Sequence, residues 1–243
     1  MEPKGKVALV TGGARRLGRE LSLALARAGC DVVVNYSRSA LEAQEVVREI
    51  EALGRRGIPV QADVGSGSDV RRMMEVVREL CGHLDIVVNN ASTFENVPLL
   101  EITEAGWDRV MAVNLKGPFL VAQAAEPLLR AHRRGLIVNL VDLAGIETWP
   151  AYGHHGVSKA GLLHLTRVLA RGFAPDIRVN AIAPGTVLPP TDYSPAQVEA
   201  LRGRTPLQRI GTPADVVKAL LYLIEADYVT GEIMMVDGGR LLV

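Results

Sequence analysis

The chain predicts an α/β fold, a doubly wound and mostly parallel seven-stranded sheet with helices on both faces. Three observations carry this prediction. Short β-branched runs alternate with amphipathic stretches of helical length from end to end. The runs are apolar almost throughout, as parallel strands covered on both faces require. No linker, repeat or low-complexity segment interrupts the alternation, so residues 1–243 read as a single domain. Strand-helix-strand alternation in turn implies right-handed crossovers.

Taken in order, the first run, Lys6–Thr11, enters a glycine-containing turn and a helix over Arg16–Ala28. Asp31–Tyr36 and Ile58–Ala62 are the next strands, followed by helices Ala40–Leu53 and Asp69–Cys81 respectively. Leu84–Asn89 leads into a long helical stretch, Thr103–Arg133, and Leu136–Val141 into the helix Ser158–Phe173. Arg178–Ala183 is the sixth strand. After it, Pro184–Pro206 is irregular and rich in Pro, Thr and polar residues, with a short helical piece over Pro195–Gly203. A loop of that length in a compact domain is expected to be a substrate lid. The helix Pro213–Glu225 and the strand Glu232–Val236 complete the pattern.

Composition excludes several function classes. The chain carries 27 basic and 27 acidic side chains, so no overall field draws it to nucleic acid or an anionic membrane. Cys30 and Cys81 form neither a disulfide framework nor a metal-ligand spacing; they read as buried free thiols, and no metal is expected. Met1–Lys6 runs almost directly into a strand, leaving no room for a signal peptide. No apolar run approaches the ~18 residues of a membrane span. The expectation is a soluble cytoplasmic protein acting on a small molecule.

The segment Thr11-Gly12-Gly13-Ala14-Arg15-Arg16-Leu17-Gly18 sits between the first strand and the first helix. Gly12 and Gly18 allow a tight turn and a close approach of backbone to phosphate, whose charge is favoured at a helix N-terminus. Arg16 stands where such turns often have glycine, and its guanidinium can reach back over phosphates or ribose. Tyr36-Ser37-Arg38-Ser39, at the end of the second strand, lacks the acidic residue that grips a free 2′-hydroxyl. It offers Arg38 with two serines instead, a donor set suited to a 2′-phosphate. The expected cofactor is NADP(H).

Thr11–Gly18, Asp63-Val64, Asn89-Asn90-Ala91-Ser92, Asn114, Lys159, Pro184-Gly185 and Asp237-Gly238-Gly239 follow one another in the order and spacing of a known pattern. Along essentially its whole length the chain resembles the short-chain dehydrogenase/reductase family of Rossmann-type enzymes. The resemblance implies that Asp63 and Val64 flank the adenine, and that Asn90 and Ala91, beside Asn89, line the cofactor near its ribose. It implies that Asn114 holds a water in a proton relay, that Lys159 binds the nicotinamide ribose, and that Pro184 and Gly185 frame the nicotinamide. Thr11, Leu17 and Gly18 belong to the same cofactor set. Family members are usually tetramers, so a homotetramer is expected.

Within that family the chain looks most like the pteridine and dihydromonapterin reductases. Arg16, Tyr36 to Ser39, Asn90-Ala91-Ser92-Thr93-Phe94 and Asn139-Leu140-Val141-Asp142 carry this likeness. It implies a pterin-like substrate stacked on Phe94 and met along its polar edge by Ser92 and Asp142. The alternative is a carbonyl substrate such as a 3-oxoacyl thioester.

Hydride transfer also requires an acid. The family uses a tyrosine four residues before its lysine, and here that position holds His155. Tyr152 lies seven residues before Lys159 and matches an additional tyrosine of the pteridine reductases. Three readings stay open: His155 is the acid, Asp142 supplies the proton through water, or the chain binds a dinucleotide without turning over. His154 reads as a surface residue.

Overall fold

The computed structural model describes residues 1–131, 134–189 and 193–243. Seven strands form one sheet: β1 (Val7–Val10), β2 (Asp31–Tyr36), β3 (Gly57–Gln61), β4 (Ile86–Asn89), β5 (Gly135–Leu140), β6 (Ile177–Pro184) and β7 (Ile233–Val236). Their order is β3-β2-β1-β4-β5-β6-β7, and every neighbouring pair is parallel. Among the described residues, eight α-helices surround it: α1 (Arg16–Arg27), α2 (Ala40–Ala52), α3 (Gly67–Cys81), α4 (Glu104–Met111), α5 (Gly117–Arg130), α6 (Gly153–Phe173), α7 (Pro195–Gly203) and α8 (Pro213–Glu225).

Alternate strand residues face opposite ways, which divides the core. Ala8 and Val10 pack with Leu21, Leu25 and Ile50 from α1 and α2 and with Leu220 from α8. Val7 and Leu9 pack with Met73, Val77, Val121 and Leu129 from α3 and α5. Burial on both faces is the reason these runs contain so few polar residues. The strand order reverses between β1 and β4, and the crevice at their C-terminal ends is where a doubly wound sheet offers a ligand site.

Two helical expectations need correction. The stretch expected as one helix over Thr103–Arg133 is divided into α4, a π-helical segment Ala112–Lys116, and α5. Pro118 has no N–H to give the Asn114 carbonyl, so the regular ladder cannot continue through this point. The expected end, Arg133, lies outside the described residues, as do Pro190, Thr191 and Asp192 of the irregular stretch. The helix expected to begin at Ser158 instead begins at Gly153, so His154 and His155 lie in its first turn. Packing decides this start: a Cβ on Gly156 would lie 2.8 Å from the Ala144 carbonyl oxygen. Only glycine lets α6 seat against that loop. Among the described residues no helix is long and apolar enough to cross a membrane.

Candidate active site

The glycine turn is clasped from two sides. Thr11 Oγ1 accepts from the Asn90 and Ala91 amides, each at 3.0 Å, while Asn90 Nδ2 donates to the Thr11 and Gly12 carbonyls. Across β2, Asn35 Oδ1 accepts from the Gly12 amide, and Asn35 Nδ2 donates to Val60 and Ala62. Ser22 Oγ donates toward the Gly13 and Gly18 carbonyls from inside α1. A Cβ on Gly18 would fall 2.0 Å from the Gly12 oxygen and 2.6 Å from Asn90 Nδ2, so this position admits no side chain. The N-terminus of α1 has no side-chain cap and no acidic residue in its first turn, leaving its free amides to an anion. Such a cradle fits the diphosphate of a dinucleotide.

Asn35 and Ser22 are site residues that the motif pattern alone does not single out. Both are buried polar residues that lock the turn. A lone asparagine inside the run Val32-Val33-Val34-Asn35 was the available signal, because a buried amide there must find backbone partners.

Arg16 has a left-handed backbone (φ 50°) and donates through Nη2 to the Leu188 carbonyl at 2.7 Å. In this structure its guanidinium spans from the glycine turn to the segment after β6. Arg38 is exposed at the end of β2. Ser39 is the N-cap of α2 but makes no capping hydrogen bond through its side chain. Tyr36 packs partly against the α1 side of the core. Asp63 accepts from the Gly65 amide, and Val64 is buried among the residues of the α3 side. At the end of β6, Pro184 precedes Gly185, whose amide donates to Val236.

β5 and α6 bring the candidate chemistry together. Asp142, just beyond β5, accepts from the Ala144 amide through Oδ1 at 2.9 Å. Its Oδ2 lies 3.6 Å from His155 Nε2, too long for a formed hydrogen bond and short enough for an ion pair when the ring is protonated. His155 Nδ1 is 3.0 Å from the Thr93 carbonyl, which can only accept, and 3.3 Å from Asn114 Nδ2, whose two protons go to shorter contacts with Thr93 and Ser158; this arrangement favours a proton on Nδ1. Nε2 is left as the exchangeable nitrogen, buried and without a hydrogen-bond partner among the described residues.

Lys159 Nζ donates to the Leu140 carbonyl at 2.8 Å. Burial lowers its pKa to about 8, against the raising effect of Asp142. For Asp142, burial pushes upward, but the His155 ring, the Ala144 amide and the Lys159 charge outweigh it and hold the carboxyl below its ordinary range. The site thus keeps an anion beside a cation in a dry setting.

Asn114 is fully buried in the π-helical segment and has both side-chain atoms engaged. Oδ1 accepts from the Thr93 amide at 2.8 Å, which orients the group, and Nδ2 donates to the Thr93 carbonyl and to Ser158 Oγ. The side chain positions Thr93 and the start of α6. Ser92 Oγ donates to the same Asn114 oxygen at 3.2 Å. Phe94 stacks on Tyr152 with ring centroids 4.4 Å apart and meets His155 edge to face at 4.8 Å.

His154 corrects another expectation: it is buried, 1% exposed, rather than on the surface. The early start of α6 turns it inward, where burial lowers its pKa against the raising effect of Glu95. Cys30 is a buried free thiol, pushed up to about 12 by desolvation, whereas Cys81 is only partly buried.

These parts converge on one cavity of about 860 Å³, bordered by Arg16, Asn90, Phe94, Asp142, His155 and Lys159 among others. That volume suits a dinucleotide end together with a small substrate. A family model described as "Enoyl-(Acyl carrier protein) reductase" (adh_short_C2) matches residues 12–240. The chain belongs to the short-chain dehydrogenase/reductase family. It is 36% identical over 241 residues to the 3-oxoacyl-[acyl-carrier-protein] reductase FabG of Staphylococcus epidermidis, covering 96% of this chain and 98% of that one. The Staphylococcus aureus FabG is 38% identical, covering 96% and 97%, and the Thermotoga maritima FabG 35%, covering 100% of both. The crystal structure of a protein assigned as a short-chain alcohol dehydrogenase from Sinorhizobium meliloti superposes with a TM-score of 0.93 at 35% identity, covering 98% of this chain and 97% of that one. As a member of this family the chain is an oxidoreductase with the Rossmann-type fold, and FabG-like members use NAD(P)H.

Proposed function

We propose that the chain is an NADP(H)-dependent reductase of a carbonyl substrate of the 3-oxoacyl thioester class, with the His155–Asp142 pair as its proton source. The observation that carries this reading is the placement of His155 Nε2, Asp142 and Lys159 around one cavity. The reaction class of the FabG relatives favours a carbonyl over the pterin expected from local motifs. The cradle at Gly12–Gly18 holds the diphosphate, and Arg38 with Ser39 meets the 2′-phosphate.

When bound, the dihydronicotinamide supplies hydride to the carbonyl carbon. The chain supplies the proton. Nδ1–H of His155 is fixed by the Thr93 carbonyl, so the second proton of the imidazolium resides on Nε2, held there by the Asp142 carboxylate. As the C=O double bond opens, its oxygen takes that proton and the product is an alcohol. Asp142, whose side chain is 28% exposed, connects the buried nitrogen to the cavity and lets it recharge from solvent. Lys159 adds fixed positive charge beside the developing oxyanion. His155 thereby takes the part that the family gives to tyrosine, four residues before the lysine.

A second reading, pterin reduction, is favoured by one observation. The Phe94–Tyr152 stack forms an aromatic wall near the Asp142 carboxylate, a setting suited to a flat heterocycle with an amino edge. Loss of NADPH absorbance with a panel of 3-oxoacyl thioesters and dihydropterins separates the two. Thioester turnover, reduced ~10²- to 10⁴-fold in kcat by His155→Ala and by Asp142→Asn, is the expected result. Turnover of dihydropterins alone replaces it with the second reading. Silence across the panel despite NADPH binding means a dinucleotide-binding protein without this chemistry. A preference for NADPH over NADH that Arg38→Ala erodes checks the cofactor.

A further inference from the structure

Among the described residues, the cavity wall carries four Lys or Arg side chains, Arg16, Lys159, Arg204 and Arg240, and one carboxylate, Asp142. Two of the four have been accounted for: Lys159 beside Asp142, and Arg16 bridging from the glycine turn to the lid. The other two come from the lid and the C-terminal tail, and one hydrogen bond brings these segments together. Leu207 donates its amide to the Gly238 carbonyl at 3.1 Å, and the left-handed Gly239 packs on Pro206, so Arg204 and Arg240 flank one junction.

We infer that this end of the cavity is an anion subsite, in which Arg240 with Arg204 takes a carboxylate or phosphate carried by the substrate away from its reacting carbonyl. Arg240 is largely buried and lies over the Trp149 ring, 5.4 Å from its centroid. Its polar contacts are long: Nη1 to Thr186 Oγ1 at 3.4 Å and Nη2 to Glu147 Oε2 at 3.5 Å. That Glu147 oxygen also accepts the Trp149 indole N–H at 2.6 Å, so it forms a long ion pair with the guanidinium and orients it through one nitrogen. The other nearby acid, Asp237, spends its oxygens on the amides of Gly239 and Leu241. A guanidinium has five donors, and one placed over an indole face keeps N–H groups at its edge for an oxyanion. Solvent exposes Arg204, which closes the subsite from the lid.

The inference rests on the reductase reading for the reacting group, but its test does not depend on turnover. Calorimetric titration of the protein saturated with NADP⁺ uses two probe pairs. One is pantetheine and its 4′-phosphate; the other is a 3-oxo diester and its terminal monoacid. The charged member of at least one pair is expected to bind about tenfold tighter, equivalent to about 1.4 kcal/mol. Arg240→Met reduces that ratio, Arg240→Lys retains part of it, and Arg204→Met, at an exposed site, reduces it without disturbing the core. The double variant brings it to about one. Preference within the phosphate pair alone identifies a phosphate-bearing carrier arm, and within the acid pair alone an oxo acid. Equal affinities in both pairs, no binding of any probe, or a ratio that survives the double variant overturns the subsite. Failure of the reductase reading shows separately, as absent NADPH oxidation with a binding ratio intact.

Discussion

Lys159→Met should reverse the sign of its own stability effect as pH rises. Burial holds the wild-type ammonium at about 8 against an ordinary 10.5, a difference of 2.5. At about 1.36 kcal/mol per unit, folding a charged Lys159 at pH 7 costs on the order of 3 kcal/mol. The unfolded chain binds more protons than the native one between about pH 8 and 10.5, so wild-type stability rises with pH across that window. Methionine removes the charge at similar length but leaves the Leu140 carbonyl without the Lys159 donor, at a cost of about 1–3 kcal/mol. The variant should therefore be more stable than wild type by up to about 2 kcal/mol at pH 7, and less stable by about 1–3 kcal/mol above pH 10.5. Urea unfolding of both proteins at intervals from pH 7 to 10.5 measures this directly. Curves that stay parallel over the whole range refute the claim that a dry site holds this lysine against its hydration. The same variant should lose turnover, since the strained charge is the one the chemistry uses.

Two further tests address separate parts of the molecule. Gly18→Ala should weaken NADPH binding at least tenfold, about 1.4 kcal/mol, because its Cβ needs space held by the Gly12 carbonyl oxygen and Asn90 Nδ2. Fluorescence titration with NADPH checks it, and unchanged affinity would remove the turn from the cofactor site. His154 has its folded pKa lowered by burial, with Glu95, His155 and Arg109 as the charged or titratable groups acting on it. The unfolded chain then takes up the proton first as pH falls through about 6.5, so stability is lost below that value. His154→Gln should flatten the decline in urea midpoint between pH 7 and pH 5; an unaltered slope would show that other groups set it.

The sheet was legible because covering both faces of a parallel strand forces apolar runs that polar surroundings cannot imitate. All seven strands lie within two residues of the bounds read from sequence. The π-helical break was also written in the chain, at Pro118, although an unbroken apolar periodicity drew attention away from it. The start of α6 was not legible, since it depends on Gly156 meeting the Ala144 carbonyl, a contact that exists only after the chain has folded. The reach of Arg16 to Leu188, 172 positions away, is of the same kind. Residue types at the site could be read from spacing, but their partners could not. The stack of Phe94 on Tyr152 is one such partner that spacing could not give.

The position of one proton shows how such partners decide chemistry. Pro118 interrupts the helix and creates the segment that carries Asn114 into the interior. Because the Thr93 amide donates to Oδ1, the Asn114 nitrogen must point the other way and give its protons to the Thr93 carbonyl and Ser158. Thr93 is thus gripped at both its amide and its carbonyl, and that carbonyl has only acceptor capacity to offer His155 Nδ1. A proton fixed on Nδ1 leaves Nε2 as the site that gains and loses one, and Nε2 faces Asp142. Were Nδ1 unprotonated, its lone pair would oppose the Thr93 oxygen and the exchangeable proton would sit on the wrong side of the ring. The Asn114 amide, forty-one positions away in sequence, holds the Thr93 carbonyl and itself lies 3.3 Å from Nδ1, so it bears directly on the tautomer the proposed proton transfer needs.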